Sequence, residues 1–203
     1  MNEGSWEQRK IEKVLWRDFS HENPAIVTLH ALFHQQKEAA RMNKQEVYAL
    51  LQAKQLHFEI TEHPAVSTMA ELADVPCPYP DADAKSLFVR DDKKQRYYLL
   101  TVQGNKRVDL KTFRKAQQTR PLTFASSEEL LDKLGLTPGA VTPLGLLNRD
   151  AHEVTAYFDE ELLTGSGLVG VHPNENTATV WLKAADLIQL LREHGCEVIV
   201  TRL

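Results

Sequence analysis

Two strand-type runs separated by a short polar break constrain this chain more than any other stretch. They span Gly167 to Trp181, read G-L-V-G-V-H-P-N-E-N-T-A-T-V-W. Leu168, Val169 and Val171 form the first apolar run; Thr177 to Leu182 forms the second. Runs of this kind are β-strands, and the break between them holds His172, Pro173, Asn174, Asn176 and Thr177. Two readings fit. The break presents hydrogen-bonding groups at a pocket mouth, or it is a hairpin turn that uses Pro and Asn for its backbone.

The remaining elements follow from caps, periods and breakers. Asn43 to Glu46 has capping-box spacing and opens a helix to about Ala53, with Val47, Leu50 and Leu51 as its stripe. His57 to Thr61 alternates as a strand that His63-Pro64 ends. Thr68 to Glu71 repeats the capping-box spacing, and the Pro-rich V-P-C-P-Y-P run after it predicts an extended, stiff loop. Ala84 to Arg90 and Arg96 to Gln103 pair as a hairpin. Asp109 to Gln118 is a basic helix, Leu122 to Ala125 a short strand, and Ser126 caps a helix that Gly135 stops. Leu136 to Asn148 is a Gly/Pro-punctuated loop with an apolar centre; Val154 to Phe158 is a strand. Ala184 to His194 is a helix with Leu187, Ile188 and Leu191 inward, and Cys196 to Val200 closes as a strand. Strands interspersed with helices predict one mixed α/β (α+β) domain over residues 42–203. Residues 1–41 read differently, with a helix from Pro24 to Arg41. They are either a helical arm or an extension upstream of a natural start at Met42.

Composition narrows the class. A hydrophobic share of 42% and a charged share of 26% are those of a globular domain. No apolar run approaches the length of a membrane span, and Met1 to Lys10 has no signal-peptide core. Cys77 and Cys196 form no disulfide framework, so both are expected as thiols in a cytoplasmic protein. The formal net charge is −4, yet nine basic residues lie between Lys93 and Arg120 against one acid, Asp109. Lys93, Lys94, Arg96, Lys106, Arg107, Lys111, Arg114 and Lys115 are the candidates for holding a phosphate backbone. The alternative is a solvated face. Tyr97 and Tyr98 alternate within the island, which predicts one buried and one exposed ring.

Other chemistry is sparser. Lys85 begins a buried strand beside the Pro-rich loop, where an ammonium can meet a carbonyl or phosphate oxygen. Gly139-Ala140-Val141-Thr142-Pro143 brackets a short loop with a permissive and a stiff residue, suited to bringing backbone groups close to a ligand. Gly165, Gly167 and Gly170 spell G-x-G-x-x-G but lead into a strand rather than a helix, so they read as a flexible strand entry, not a dinucleotide site. His63, His172 and Cys77 match no metal-site spacing, and no metal or cofactor is expected. Asp81 with Asp83 reads as loop solvation.

Three stretches, A-K-S-L-F-V-R-D, L-G-L-T-P-G-A-V-T-P-L-G-L-L-N and V-G-V-H-P-N-E-N-T-A-T-V, resemble the YbaK/prolyl-tRNA-synthetase-associated editing family, in particular its freestanding ProX-type members. The resemblance covers Met42 to Leu203. It implies a curved, barrel-like mixed sheet surrounded by helices. It also implies metal-free hydrolysis of the aminoacyl ester of mischarged tRNA(Pro), alanine foremost, in trans to prolyl-tRNA synthetase. It places the family lysine on Lys85, its glycine-to-proline loop on Gly139 to Pro143, including Thr142, and its His-Pro-x-x-Asn-Thr segment on His172, Asn176 and Thr177. ProX-type sequences often carry Asn after the lysine; Ser86 stands here. A Cys-tRNA(Pro) deacylase and a non-catalytic module binding tRNA or the synthetase are the alternatives. DNA and membrane are not expected partners.

Overall fold

The computed structural model describes residues 41–65, 77–148 and 153–203, and Arg41–Leu203 forms one compact unit. The helix expected over 24–41 and the cap at 68–71 lie outside the described residues. The described chain runs α1 (Lys44–Ala53), β1 (Phe58–Glu62), β2 (Ala84–Asp91), β3 (Tyr97–Gln103), α2 (Leu110–Ala116), β4 (Leu122–Phe124), α3 (Ser127–Leu134), β5 (Val154–Asp159), β6 (Leu168–Val171), β7 (Ala178–Lys183), α4 (Ala184–Glu193) and β8 (Val198–Thr201).

The expected caps form. Asn43 and Glu46 close a reciprocal capping box on α1, and Ser126 and Glu129 do the same on α3. Gly135 ends α3 at φ 67°, a left-handed conformation that suits glycine. The Pro-rich segment is not extended throughout. Pro80–Ala82 coils into a 3₁₀ turn, since Pro80 presets its first φ and the Ala82 amide reaches the Tyr79 carbonyl at 2.9 Å. A second 3₁₀ turn, Pro143–Leu147, occupies the Gly/Pro-rich loop and is buried throughout.

The strands form two sheets rather than one closed barrel. The larger has the order β4-β2-β3-β5-β8, antiparallel around β2 and parallel from β3 to β8. The smaller has the order β1-β7-β6, all antiparallel. A single parallel bridge, Asp83 to Gly170, joins them. The main core takes Phe88, Tyr97, Leu99 and Phe158 from the large sheet, Val169 and Val180 from the small one, and the apolar faces of α1, α3 and α4. A smaller cluster of Val89, Tyr98, Leu100, Phe113 and Tyr157 lies on the other face of the large sheet, under α2.

Both Tyr97 and Tyr98 are therefore buried, contrary to the alternation expected for a strand with one wet face. β3 is central, and each of its faces is covered. Tyr97 stacks on Phe88 at 5.6 Å, with the Lys133 ammonium 5.3 Å from its ring centroid. Tyr98 meets Phe113 and Tyr157.

Candidate active site

The seam between the two sheets holds a pocket of about 30 Å³, room for about two water-sized groups. Asp83, Ala84 and Ser86 line it from the start of β2, and Val141, Thr142 and Pro143 from the loop before the second 3₁₀ turn. Gly170, Val171 and His172 line it from the end of β6, and Thr179 from β7. β6 and β7 are a hairpin with its polar residues at the tip, so the two readings of Gly167 to Trp181 describe one structure.

Local folding fixes each wall. Ser86 faces the main core side of β2, and its hydroxyl lies 3.1 Å from the hydroxyl of buried Thr101. Thr142 caps the 3₁₀ turn, and Leu144, Leu146 and Leu147 anchor that turn in the core, which stiffens the loop. Gly139 lies two residues ahead of the lining with φ 89°. A Cβ there would sit 3.5 Å from Asn176 Nδ2, so loop and hairpin tip are neighbours. Gly170 is no flexible strand entry. A Cβ on it would collide with the Trp181 ring, whose indole N–H donates to Thr61 Oγ1 at 2.9 Å.

His172 has one tautomer. Its Nδ1 lies 3.0 Å from the Ala178 carbonyl, which can only accept, so Nδ1 carries the proton and Nε2 keeps its lone pair. Burial holds the imidazole below its ordinary titration range, and the nearby His63 adds to this; the Ala178 carbonyl and Asp83 oppose it. His63 packs 6.0 Å away between ring centroids, donates from Nδ1 to the Pro64 carbonyl at 3.0 Å, and accepts from the Thr179 hydroxyl at 3.2 Å. Among the described residues no three His, Cys, Asp or Glu side chains form a metal-ligand group.

Lys85 is half-buried, and strand alternation puts it on the opposite side of β2 from Ser86. It does not line the pocket, but its charge acts on Asp83 at the pocket wall, as does that of His172. Thr177 turns away from the pocket: its hydroxyl accepts from Lys44 Nζ at 3.2 Å, and Lys44 also pairs with Glu62 at 2.9 Å. Asp83, Gly170 and Thr179 were not singled out as site residues by their spacing. Asp83 looked like loop solvation, and it reaches the pocket only because the bridge to Gly170 joins the sheets there.

The basic island divides. Lys106 is partly buried and bound to Asp159 at 2.5 Å and Glu161 at 2.9 Å, so its charge is neutralised internally. Lys94 pairs with Glu129 at 3.2 Å. Lys93, Arg96, Arg107, Lys111, Arg114 and Lys115 are exposed. Lys93, Lys94 and Arg96 sit at the turn of the β2–β3 hairpin, the end away from the pocket. α2 follows β3 from the pocket end, and Phe113 fastens it to the outer face of the large sheet.

The model of the aminoacyl-tRNA editing domain family matches residues 63–190. The prolyl-tRNA editing protein ProX of Acetoanaerobium sticklandii is 38% identical over 152 residues, 75% of this chain and 92% of that protein. The prolyl-tRNA synthetase associated domain-containing protein 1 of Danio rerio is 34% identical over 143 residues, 69% of this chain and 77% of that protein. A crystal structure assigned as a candidate trans-editing enzyme for prolyl-tRNA synthetase superposes with a TM-score of 0.58 at 25% identity, covering 79% of this chain and 96% of that one. The chain belongs to the aminoacyl-tRNA editing domain family.

Proposed function

We propose that this protein hydrolyses the ester of mischarged tRNA(Pro), with alanine as its preferred amino acid, acting in trans to prolyl-tRNA synthetase. Family membership supplies the reaction class, an aminoacyl-tRNA hydrolase in translation fidelity. The observation that carries the substrate reading is the small pocket walled by Ala84, Val141, Pro143, Val171 and His172. A methyl side chain suits such a volume, whereas a proline ring overpacks it.

An aminoacyl ester is already activated, so its hydrolysis needs positioning and oxyanion stabilisation more than a strong base. The Gly139 to Pro143 loop places backbone groups at the ester and the terminal ribose. His172 presents an unprotonated Nε2, and Ser86 and Asn176 shape the amino-acid side of the site. Lys85 supplies the cation; its place outside the lining favours the terminal phosphate over the ester carbonyl. The exposed cations of α2 hold the acceptor stem.

The test is a panel of Ala-, Cys- and Pro-tRNA(Pro) incubated with purified protein. Ala-tRNA(Pro) should be deacylated well above the spontaneous rate and Pro-tRNA(Pro) spared. Preferential loss of Cys-tRNA(Pro) would replace alanine by cysteine in the assignment. Binding without any hydrolysis would make the chain a tRNA-binding module.

A further inference from the structure

We propose that Asp83 is the recognition group for the substrate's α-ammonium, so that the site selects esters of free amino acids and discriminates against α-hydroxy or N-blocked acyl groups. This rests on the deacylase reading and adds to it a residue that decides substrate class.

Asp83 is the one carboxylate among the described residues lining the pocket. Its position is built rather than incidental. Its backbone forms the bridge to Gly170 where the two sheets meet, and its carbonyl accepts from the Gly104 amide at 2.8 Å. A Cβ at Gly104 would collide with Asp83 Oδ2, so glycine there leaves room for the carboxylate. The carboxylate has no ion-pair partner of its own among the described residues. The Ala84 amide donates to it, and Lys85 and His172 act on it only through space. Protein packed around the carboxyl raises its pKa although part of the side chain stays exposed to solvent, and a substrate cation would relieve that cost.

Every aminoacyl ester carries the α-amino group one carbon from the ester carbonyl. An anchor for that group beside His172 fixes the carbonyl against the Gly139 to Pro143 loop and sends the side chain toward Val141 and Val171. No other pocket-lining group supplies a negative charge for it.

Alanyl-tRNA(Pro) and its deaminated counterpart lactyl-tRNA(Pro) test the assignment, since they differ at one group and are nearly equal in size. A charge-assisted hydrogen bond predicts that Asp83→Asn lowers kcat/KM for the alanyl ester by about 10- to 100-fold. It should leave the lactyl ester within about twofold of wild type. Comparing variant with wild type on each substrate cancels the different intrinsic reactivities of the two esters. Gly104→Ala, which displaces the carboxylate without removing it, should show the same selective loss and covers the case in which Asp83→Asn does not fold. Equal loss on both esters, or loss on neither, would overturn the proposal while leaving the deacylase reading intact. A wild-type protein inert toward every mischarged tRNA(Pro) would sink the deacylase reading and this inference with it.

Discussion

At the scale of single residues, the site depends on how neighbours set protonation. His172 is held neutral by burial, so its Nε2 stays available below the pH at which free imidazole titrates. The His172 part of the acid limb of kcat/KM is expected below pH 6.5, and His172→Ala should lower activity and leave only the limb set by the Asp83 carboxyl; a pH–rate profile checks both. Glu129 shows the opposite arrangement. Burial works against its charge, but the Ser126 amide, Arg90 and Lys94 outweigh that and hold the carboxyl at about 2. Its pKa is depressed on folding, so its contribution is full above the ordinary 4.5 and is lost as pH falls toward 2. Acid unfolding of Glu129→Gln should accordingly be shallower across that window, with a loss of about 2–3 kcal/mol at neutral pH. Thr142, Pro143 and His172 could be picked out in sequence because their motifs pair polar atoms with Pro-set backbones, whereas Ser86 entered only through the family resemblance. Asp83 could not, because nothing within the Pro-rich segment says which β6 residue it will bridge.

At the scale of elements, the β6–β7 hairpin and α2 carry the strongest expectations. Gly170 lets the Trp181 ring lie against the strand, so Gly170→Ala overpacks the seam. The expected cost is about 1–3 kcal/mol, read as a lowered Tm together with reduced deacylation, since the same residue lines the pocket. α2 buries Phe113 and exposes Lys111, Arg114 and Lys115. Reversing these three charges to Glu should raise KM for tRNA with little change in Tm. It should also reduce the slope of log affinity against log salt by about 2–3. A control reversal at Lys106 should behave differently, because it leaves buried Asp159 without its counter-ion and destabilises the fold. The helix boundaries were readable from caps and Gly stops, which are local hydrogen-bond chemistry. The 3₁₀ turns at Pro80–Ala82 and Pro143–Leu147 were not, because their short coils are decided by what lies beneath them.

At the scale of the whole molecule, two sheets meet at one bridge and the pocket opens where they meet. Met42 is fastened into this unit. Its amide donates to Asn148 Oδ1 at 2.8 Å, its carbonyl accepts from Asn174 Nδ2 at 2.8 Å, and Asn148 Nδ2 donates to the Leu134 carbonyl at 2.6 Å. A chain beginning at Met42 is therefore expected to fold and to deacylate at rates near those of the full chain, which circular dichroism and the tRNA panel would check. Loss of folding would show that residues 1–41 are integral to the domain. By itself, the sequence determined the mixed α/β class, most strands and helices, and the motifs that mark the editing family, because periodicity, caps and motif spacing are properties of neighbouring residues. Only the tertiary structure decided that both tyrosines of β3 are buried, that Lys106 belongs to an internal ion pair, that the strands form two sheets, and that Asp83 lines the same pocket as His172. Each of those depends on which distant segments close over a residue, and that is settled by long-range pairing and packing rather than by local pattern.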